Sequence, residues 1–407
     1  MYLVEQHIIT PNNPYYKELD NATFKAKNLY NSTVYAVRQY YFNNKKYLSY
    51  ATLQKQFQDS KQPDYIALPT KVSQQVMKQV DTVFKSFFKA IKSYTVNPNS
   101  FTGRPKLPYY KDKIEGRFVL TYTNQAFSKK ECEKNSVIHP SGLEFNFKTK
   151  QQYEDIKEVR IIPRCGYFVV EVVYEVPSCN LLSDNNKYVA IDLGVNNFVT
   201  LTTNIIGDTP IAISGKSIKS YNHYYNKQVA YYKSILELQN GLKTSRRLRR
   251  LHFKRKCKMD DFMHKSSRYI VNQLVSKGIN TLIIGKNDGW KQDINIGKVN
   301  NQNFVQIPFE SLINKLIYKC AMVGINVEIV KESYTSKCSF LDGETIEKHD
   351  TYLGKRIHRG LFKSADGTLI NADVNGSYNI LRKCKPKAFA NGVLGVVVHP
   401  IILRIIN

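Results

Sequence analysis

The sequence predicts an α/β domain carrying a long basic helical insert, preceded by an α+β part in which a small β-barrel holds an inserted helical bundle. Three observations predict this. Lys187 to Leu201 is an apolar run broken by one carboxylate, Asp192, and by the turn Gly194-Val-Asn-Asn, which reads as a hairpin of two buried strands. Farther on, the strand Gly278 to Gly285, a helical pattern from Phe309 to Val323 and the strand Gly324 to Glu332 have the order and length of a right-handed βαβ crossover. Ahead of both, a helical pattern gives way to β-type alternation from Gly116 to Pro177, and the polar stretch Ser178 to Asn186 separates the halves.

In chain order, residues 2 to 10 read as a strand and 15 to 42 as a helix with Leu19, Ala22, Ala26 and Leu29 on one face. After Leu68-Pro69-Thr70, residues Val72, Val76, Val80, Val83, Phe84, Phe87 and Ile91 recur at helical spacing and mark a core-facing stripe. Five lysines against one acid on its other faces make that surface a candidate for phosphate contact. Asn97 to Pro108 is rich in breakers and exposes Arg104 and Lys106. Strands follow at 117–123, 143–147, 159–162 and 167–176, the last two joined by a turn at Gly166; with residues 2 to 10 they could close the barrel.

Asp192 lies mid-strand, where a doubly covered strand is close to continuously apolar, so its burial calls for a cation or a basic group in answer. A hairpin whose first strand ends in such an acid is how an RNase H-like nuclease fold begins. Folds of that kind gather carboxylates from distant parts of the chain around two divalent cations about 3.5 to 4 Å apart.

The composition points to the substrate class. Sixty Lys and Arg against 33 Asp and Glu give a net charge of +27, so a polyanion is the expected partner. A membrane is not, since no run approaches the length of apolar residues a spanning helix needs, and the N-terminus has no signal-peptide pattern. A cytoplasmic, nucleoid-associated location is expected. The seven cysteines form no Cys-x-x-Cys pair and read as reduced thiols. After a third strand at 209–216, residues 216 to 268 hold 15 Lys and Arg against three acids. Lys243, Arg246, Arg247, Arg249, Arg250, Lys254, Arg255, Lys256 and Lys258 stand there without an acid among them, a density best neutralised by a nucleic-acid backbone. Near the C-terminus, Asp373 opens a short helix able to dock on the sheet, and the tail from Ala388 is apolar.

Three spaced motifs now carry a family likeness. Val189-Ala-Ile-Asp-Leu-Gly-Val-Asn-Asn197, Glu332-Ser-Tyr-Thr-Ser-Lys337 and Ala372-Asp-Val-Asn-Gly-Ser-Tyr-Asn-Ile380 together resemble the transposon-encoded TnpB (OrfB) family, small relatives of the type V CRISPR effectors. The likeness covers nearly the whole chain, including Phe101-Thr-Gly-Arg-Pro-Lys106 and the basic helical insert. It implies a β-barrel (wedge-like) domain at 1–14 and 96–184, and an inserted helical recognition domain at 15–95. It further implies an RNase H-like (RuvC) nuclease domain at 185–337 and 371–384 with its insert at 217–276, a target-nucleic-acid-binding insert at 338–370, and a tail at 385–407. The implied activity is that of a monomeric RNA-guided DNA endonuclease, with a guide RNA and target double-stranded DNA as partners and two Mg²⁺ ions held by Asp192, Glu332 and Asp373. Lys71, Gln75, Thr123 and Asn124 fall where the resemblance puts readers of a target-adjacent motif.

Two departures qualify the likeness. In the commoner pattern the second acid ends the strand Leu282-Ile-Ile-Gly285, where this chain has Gly285; a rearranged subset carries the acid at the end of the neighbouring strand, where Glu332 stands. Adjacent strands lie about 4.8 Å apart, a gap a Glu side chain can largely span; Glu328 and Asp288 are nearby substitutes. The commoner pattern also has two Cys pairs holding zinc, and the aligned positions are Ser339, Asp342, Lys363 and Asp366, so no zinc is expected. Phe340, Tyr352 and Leu361 are the expected core of that loop. Two other classes stay open: a guide-dependent DNA-binding repressor without nuclease activity, and an RNase H-like transposase.

Overall fold

The computed structural model describes residues 1–287, 289, 297–390, 392–393 and 395–405, so Asp288 lies outside the described residues. The chain divides into two units, Met1–Pro177 and Ser178–Asn407.

In the first unit, β1 (Tyr2–Ile9) leads into α1 (Tyr16–Asn44), α2 (Tyr50–Asp59), the single turn α3 (Pro63–Ile66) and α4 (Thr70–Val96). Val72, Val76, Val80 and Phe84 of α4 are fully buried against Leu19, Ala26, Leu29 and Val34 of α1, as their spacing predicts. Then come β2 (Leu120–Thr123), α5 (Lys129–Asn135), β3 (Val137–Ile138), β4 (Phe147–Lys148), β5 (Ile156–Arg164) and β6 (Tyr167–Glu175). The β5–β6 hairpin turns at Gly166, whose φ of 89° suits a residue without a Cβ. The main ladder is an antiparallel sheet in the order β1-β6-β5-β2, and β3 pairs with β4 alone; no ladder joins β1 to β2 among the described residues. The strand expected at 143–147 is shorter because Glu144 and Phe145 donate their backbone N–H groups to the Glu18 carboxylate at 2.5 and 3.0 Å. Those donors are then lost to a strand ladder.

The second unit is built on a six-stranded sheet. Its strands are β7 (Tyr188–Leu193), β8 (Asn197–Thr203), β9 (Ile211–Ser214), β10 (Thr281–Gly285), β11 (Asn326–Val330) and β15 (Ile401–Leu403), in the spatial order β11-β10-β7-β8-β9-β15. β7, β10 and β11 run parallel, while β8 is antiparallel to β7 and β9. The apolar tail is therefore an edge strand, pairing in parallel with β9. Between β9 and β10 lie α6 (Lys216–Asn240) and α7 (Arg246–Ser276), broken at Gly241 in the left-handed conformation and restarted by Ser245, whose Oγ caps Leu248 N. α8 (Lys298–Gln306) and α9 (Phe309–Ala321) precede β11, and the 338–370 loop contains a small sheet of β12 (Lys355–His358), β13 (Leu361–Lys363) and β14 (Leu369–Asn371). α10 (Ala372–Cys384) lies across the large sheet: Ser377 Oγ reaches Ala190 O at 3.1 Å and Thr200 O at 3.2 Å. No helix among the described residues is long and apolar enough to cross a membrane.

Candidate active site

Three parallel strands end side by side, and crevices at the carboxyl ends of such strands are where α/β sheets bind ligands. The last β10–β7 pair is Ile284 with Ile191, so Gly285 stands level with Asp192. Gly285 in turn pairs with Val330, two residues before Glu332. A Cβ placed on Gly285 would stand 3.1 Å from Glu332 Oε2 and would run into Ile380 Cδ1. The carboxylate of Glu332 thus occupies the space in front of the glycine, and Asn287 Nδ2 donates to its Oε1 at 3.2 Å.

Asp192 meets the other side of the site through Gly376 of α10, where an added Cβ would come within 3.1 Å of Asp192 Oδ2. A glycine there lets the helix approach the carboxylate. Asp373, three residues earlier, sits in the first turn of α10; Asn371 Oδ1 caps that turn by accepting from Asp373 N at 3.0 Å and Val374 N at 3.2 Å. The Asp373 carboxylate accepts from Asn197 Nδ2 at 2.8 Å and faces Arg356 at 3.5 Å.

The electrostatics tie the three acids together. Burial, then the charges of Asp373 and Glu332, push the Asp192 carboxyl well above the ordinary carboxylate range, against the opposing pull of Arg356. Burial also raises that of Glu332. Like charges held this close need a proton or a cation between them. Among the described residues no three His, Cys, Asp or Glu side chains form a closed metal cage. Three carboxylates are nevertheless the hard oxygen donors Mg²⁺ takes, and that ion keeps several of its waters instead of demanding an all-protein cage. The donor set therefore fits. Glu328 is otherwise engaged, accepting from Lys385 Nζ at 2.8 Å and Cys384 Sγ at 3.0 Å.

Beside Asp373 opens a cleft of about 1220 Å³ lined by the Gly194–Asn197 turn, Lys216, Arg356, Arg359 and Arg404. Arg356 and Asn197 were not singled out from the sequence as site residues. Asn197 stands in the quoted turn, but nothing local marks Arg356, which β12 brings to Asp373 from 17 positions away.

Against known proteins, residues 171–291 match the family model OrfB_IS605, described as "Probable transposase", and residues 309–380 match "Cas12f1-like, TNB domain". The first match spans Asp192 and the basic helices, and the second spans Glu332 and Asp373. The chain belongs to the TnpB family. Among curated relatives, TnpB-like protein ORF457 of Acidianus two-tailed virus is 26% identical over 227 residues, 53% of this chain and 44% of that protein, so the match spans less than half of the relative's length. Among solved structures, a Cas12f1-sgRNA-target DNA complex has a TM-score of 0.56 at 12% identity, covering 89% of this chain and 82% of that one. The mini-RNA-guided endonuclease CRISPR-Cas_phi3 has a TM-score of 0.46 at 11% identity, covering 98% and 94%. The first of these supports the RuvC nuclease fold for this TnpB chain.

The expected nucleic-acid contacts fall into groups. On the helical insert, Lys243, Arg246, Arg247, Arg250, Lys254 and Lys258 are exposed, whereas Arg249 and Arg255 are half-buried. Arg247, Arg255 and Lys258 lie over the rings of Tyr232, Tyr225 and Tyr221 at 4.5, 5.0 and 4.6 Å. Arg255 also donates to Asn222 Oδ1 and Gln306 O, so it holds α6 to α7 and α8. In the first unit, Lys71, Arg104, Lys106 and Asn124 are exposed, and Gln75 and Thr123 are half-exposed. Gln79 Nε2 donates to Thr121 Oγ1 at 3.1 Å and ties α4 to β2.

The positions where the resemblance would put zinc ligands hold a hydroxyl, two carboxylates and an ammonium, which is not a zinc-thiolate set. They bond to the backbone: Asp342 accepts from Ala365 N at 2.9 Å, joining the two halves of the loop, and Asp366 accepts from Thr368 N at 2.9 Å. Phe340 stacks on Tyr378 at 4.7 Å beside buried Phe362 and Ile370, so Phe362, not the half-exposed Leu361 or Tyr352, completes the loop's core with Phe340.

Proposed function

We propose that this chain is an RNA-guided DNA endonuclease in which Asp192, Glu332 and Asp373 hold two Mg²⁺ ions. The observation that carries the proposal is the carboxylate of Glu332 lying over Gly285, level with Asp192, where it restores the second acid that the strand itself lacks. Kinship with TnpB, and a fold shared with a protein solved with sgRNA and target DNA, supply the guide RNA and target duplex as partners. Divalent ions there would supply an activated water and stabilise the attacking and leaving oxygens. The chain's own part is orientation and charge. Asn197 fixes the Asp373 carboxylate, Arg356 neutralises it from the cleft side, and the exposed guanidinium can turn to a scissile phosphate. Exposed cations of α7 would hold the RNA or heteroduplex. In the first unit, residues 15–95 and the barrel-like part would read the target-adjacent motif through Lys71, Gln75, Thr123 and Asn124, with one copy of the chain per complex.

The test is cleavage of a guide-matched duplex by Asp192→Ala, Glu332→Ala and Asp373→Ala. Each should abolish Mg²⁺-dependent cutting and retain the copurifying RNA. Cutting that survives in Glu332→Ala would move the role to another acid. Guide-directed binding by the unmodified protein with no cutting at any Mg²⁺ concentration would favour a repressor.

A further inference from the structure

The cleft at Asp373 does not end there. A second cleft, of about 540 Å³, meets it at Asn196 and Lys216 and continues along α6 towards α8, lined by Lys219, Ser220, His223, Asn226, Gln302 and Asn303. No carboxylate and no aromatic ring lines it. Lys216, Ser220 and His223 recur at the spacing that places them on one face of α6, with Lys219 beside them. Lys219 Nζ donates to Asn196 Oδ1 at 3.3 Å, and Asn226 and Gln306 exchange hydrogen bonds at 3.0 and 2.8 Å, so the wall is built from fixed polar groups.

We propose that this second cleft is a backbone-binding subsite for a single DNA strand, holding the phosphates that lead away from the bond at Asp373; it rests on the nuclease reading above. The cations lie along one line, which matches one backbone. Seven residues of helix from Lys216 to His223 span about 10.5 Å, the reach of about three stacked nucleotides. With cations and amides but no stacking platform, the subsite grips phosphate and ignores base identity.

The experiment measures anisotropy of a fluorescein-labelled thymidine oligonucleotide on the RNA-bound full chain in EDTA, where cleavage cannot occur, across a range of salt. Lys216→Ala with Lys219→Ala should lower the slope of log affinity against log salt by about 1.4, Lys216→Arg with Lys219→Arg should restore it, and an oligonucleotide of mixed bases should give the same values. A second measurement uses the unmodified protein: bound oligonucleotide should protect both lysines from acetylation, read by peptide mass spectrometry. An unchanged slope together with unprotected lysines overturns the subsite. So does a loss of copurified RNA in the alanine pair, which would assign the cleft to the guide. Because no cutting is measured, an inactive nuclease would leave this result standing.

Discussion

Asp192 shows how a single side chain trades stability for readiness. Its carboxyl is held above its unfolded value by burial and by two neighbouring acids, so between the two values the native state binds a proton that the unfolded chain has lost. The associated stability is present at low pH and drains away as pH rises through the folded value. Removing the charge should therefore stabilise the metal-free protein at neutral pH while ending catalysis. Asp192→Asn is expected to raise the melting temperature by about 2 to 4 °C for each kcal/mol of relieved repulsion. Mg²⁺ should raise the melting temperature of the unmodified protein by more than that of the variant. Scanning calorimetry in EDTA and in Mg²⁺ reads both.

At the scale of elements, α7 divides its positive charge between two duties. The Arg255 guanidinium bridges three helices and lies over Tyr225, whereas Arg246, Arg250 and Lys254 face solvent. Replacing those three with alanine should reduce the salt slope of heteroduplex binding by about 2 to 3 and leave the melting temperature in place. Arg255→Ala should do the reverse, costing about 1 to 3 kcal/mol through the acceptors it abandons, with little change in slope. Binding isotherms at several salt concentrations and urea titrations separate the two. The charge density of this segment is plain in its composition. Which cations are spent internally is not, because that depends on where the tyrosines of α6 come to lie.

For the whole molecule, a net charge of +27 implies self-repulsion that a bound polyanion relieves. A ligand that binds only the folded form adds stability by mass action. Ribonuclease treatment of the purified protein should therefore lower its melting temperature at low ionic strength. The loss should shrink towards 1 M salt, where the Debye length falls to about 3 Å. A shift independent of salt would mean that the RNA stabilises by shape, without relieving charge.

Much of this architecture was legible in the chain. Apolar periodicity identified α1, α4, the β5–β6 hairpin and the parallel strands, because burial of one face leaves its period in the residues. Local rules failed where a distant partner intervenes: Glu18 takes the backbone donors of 144 and 145, and β9 recruits Ile401 to Leu403 as an edge strand. The carboxylates Asp192 and Asp373 stood out because an acid in an apolar strand and one at a helix start each break a local pattern. Only the tertiary structure decided that Glu332 folds back over Gly285, that Gly376 admits α10 to Asp192, and that Arg356 reaches Asp373. Strand composition records what is buried, but charge interaction depends on separation in space, which residue order does not encode.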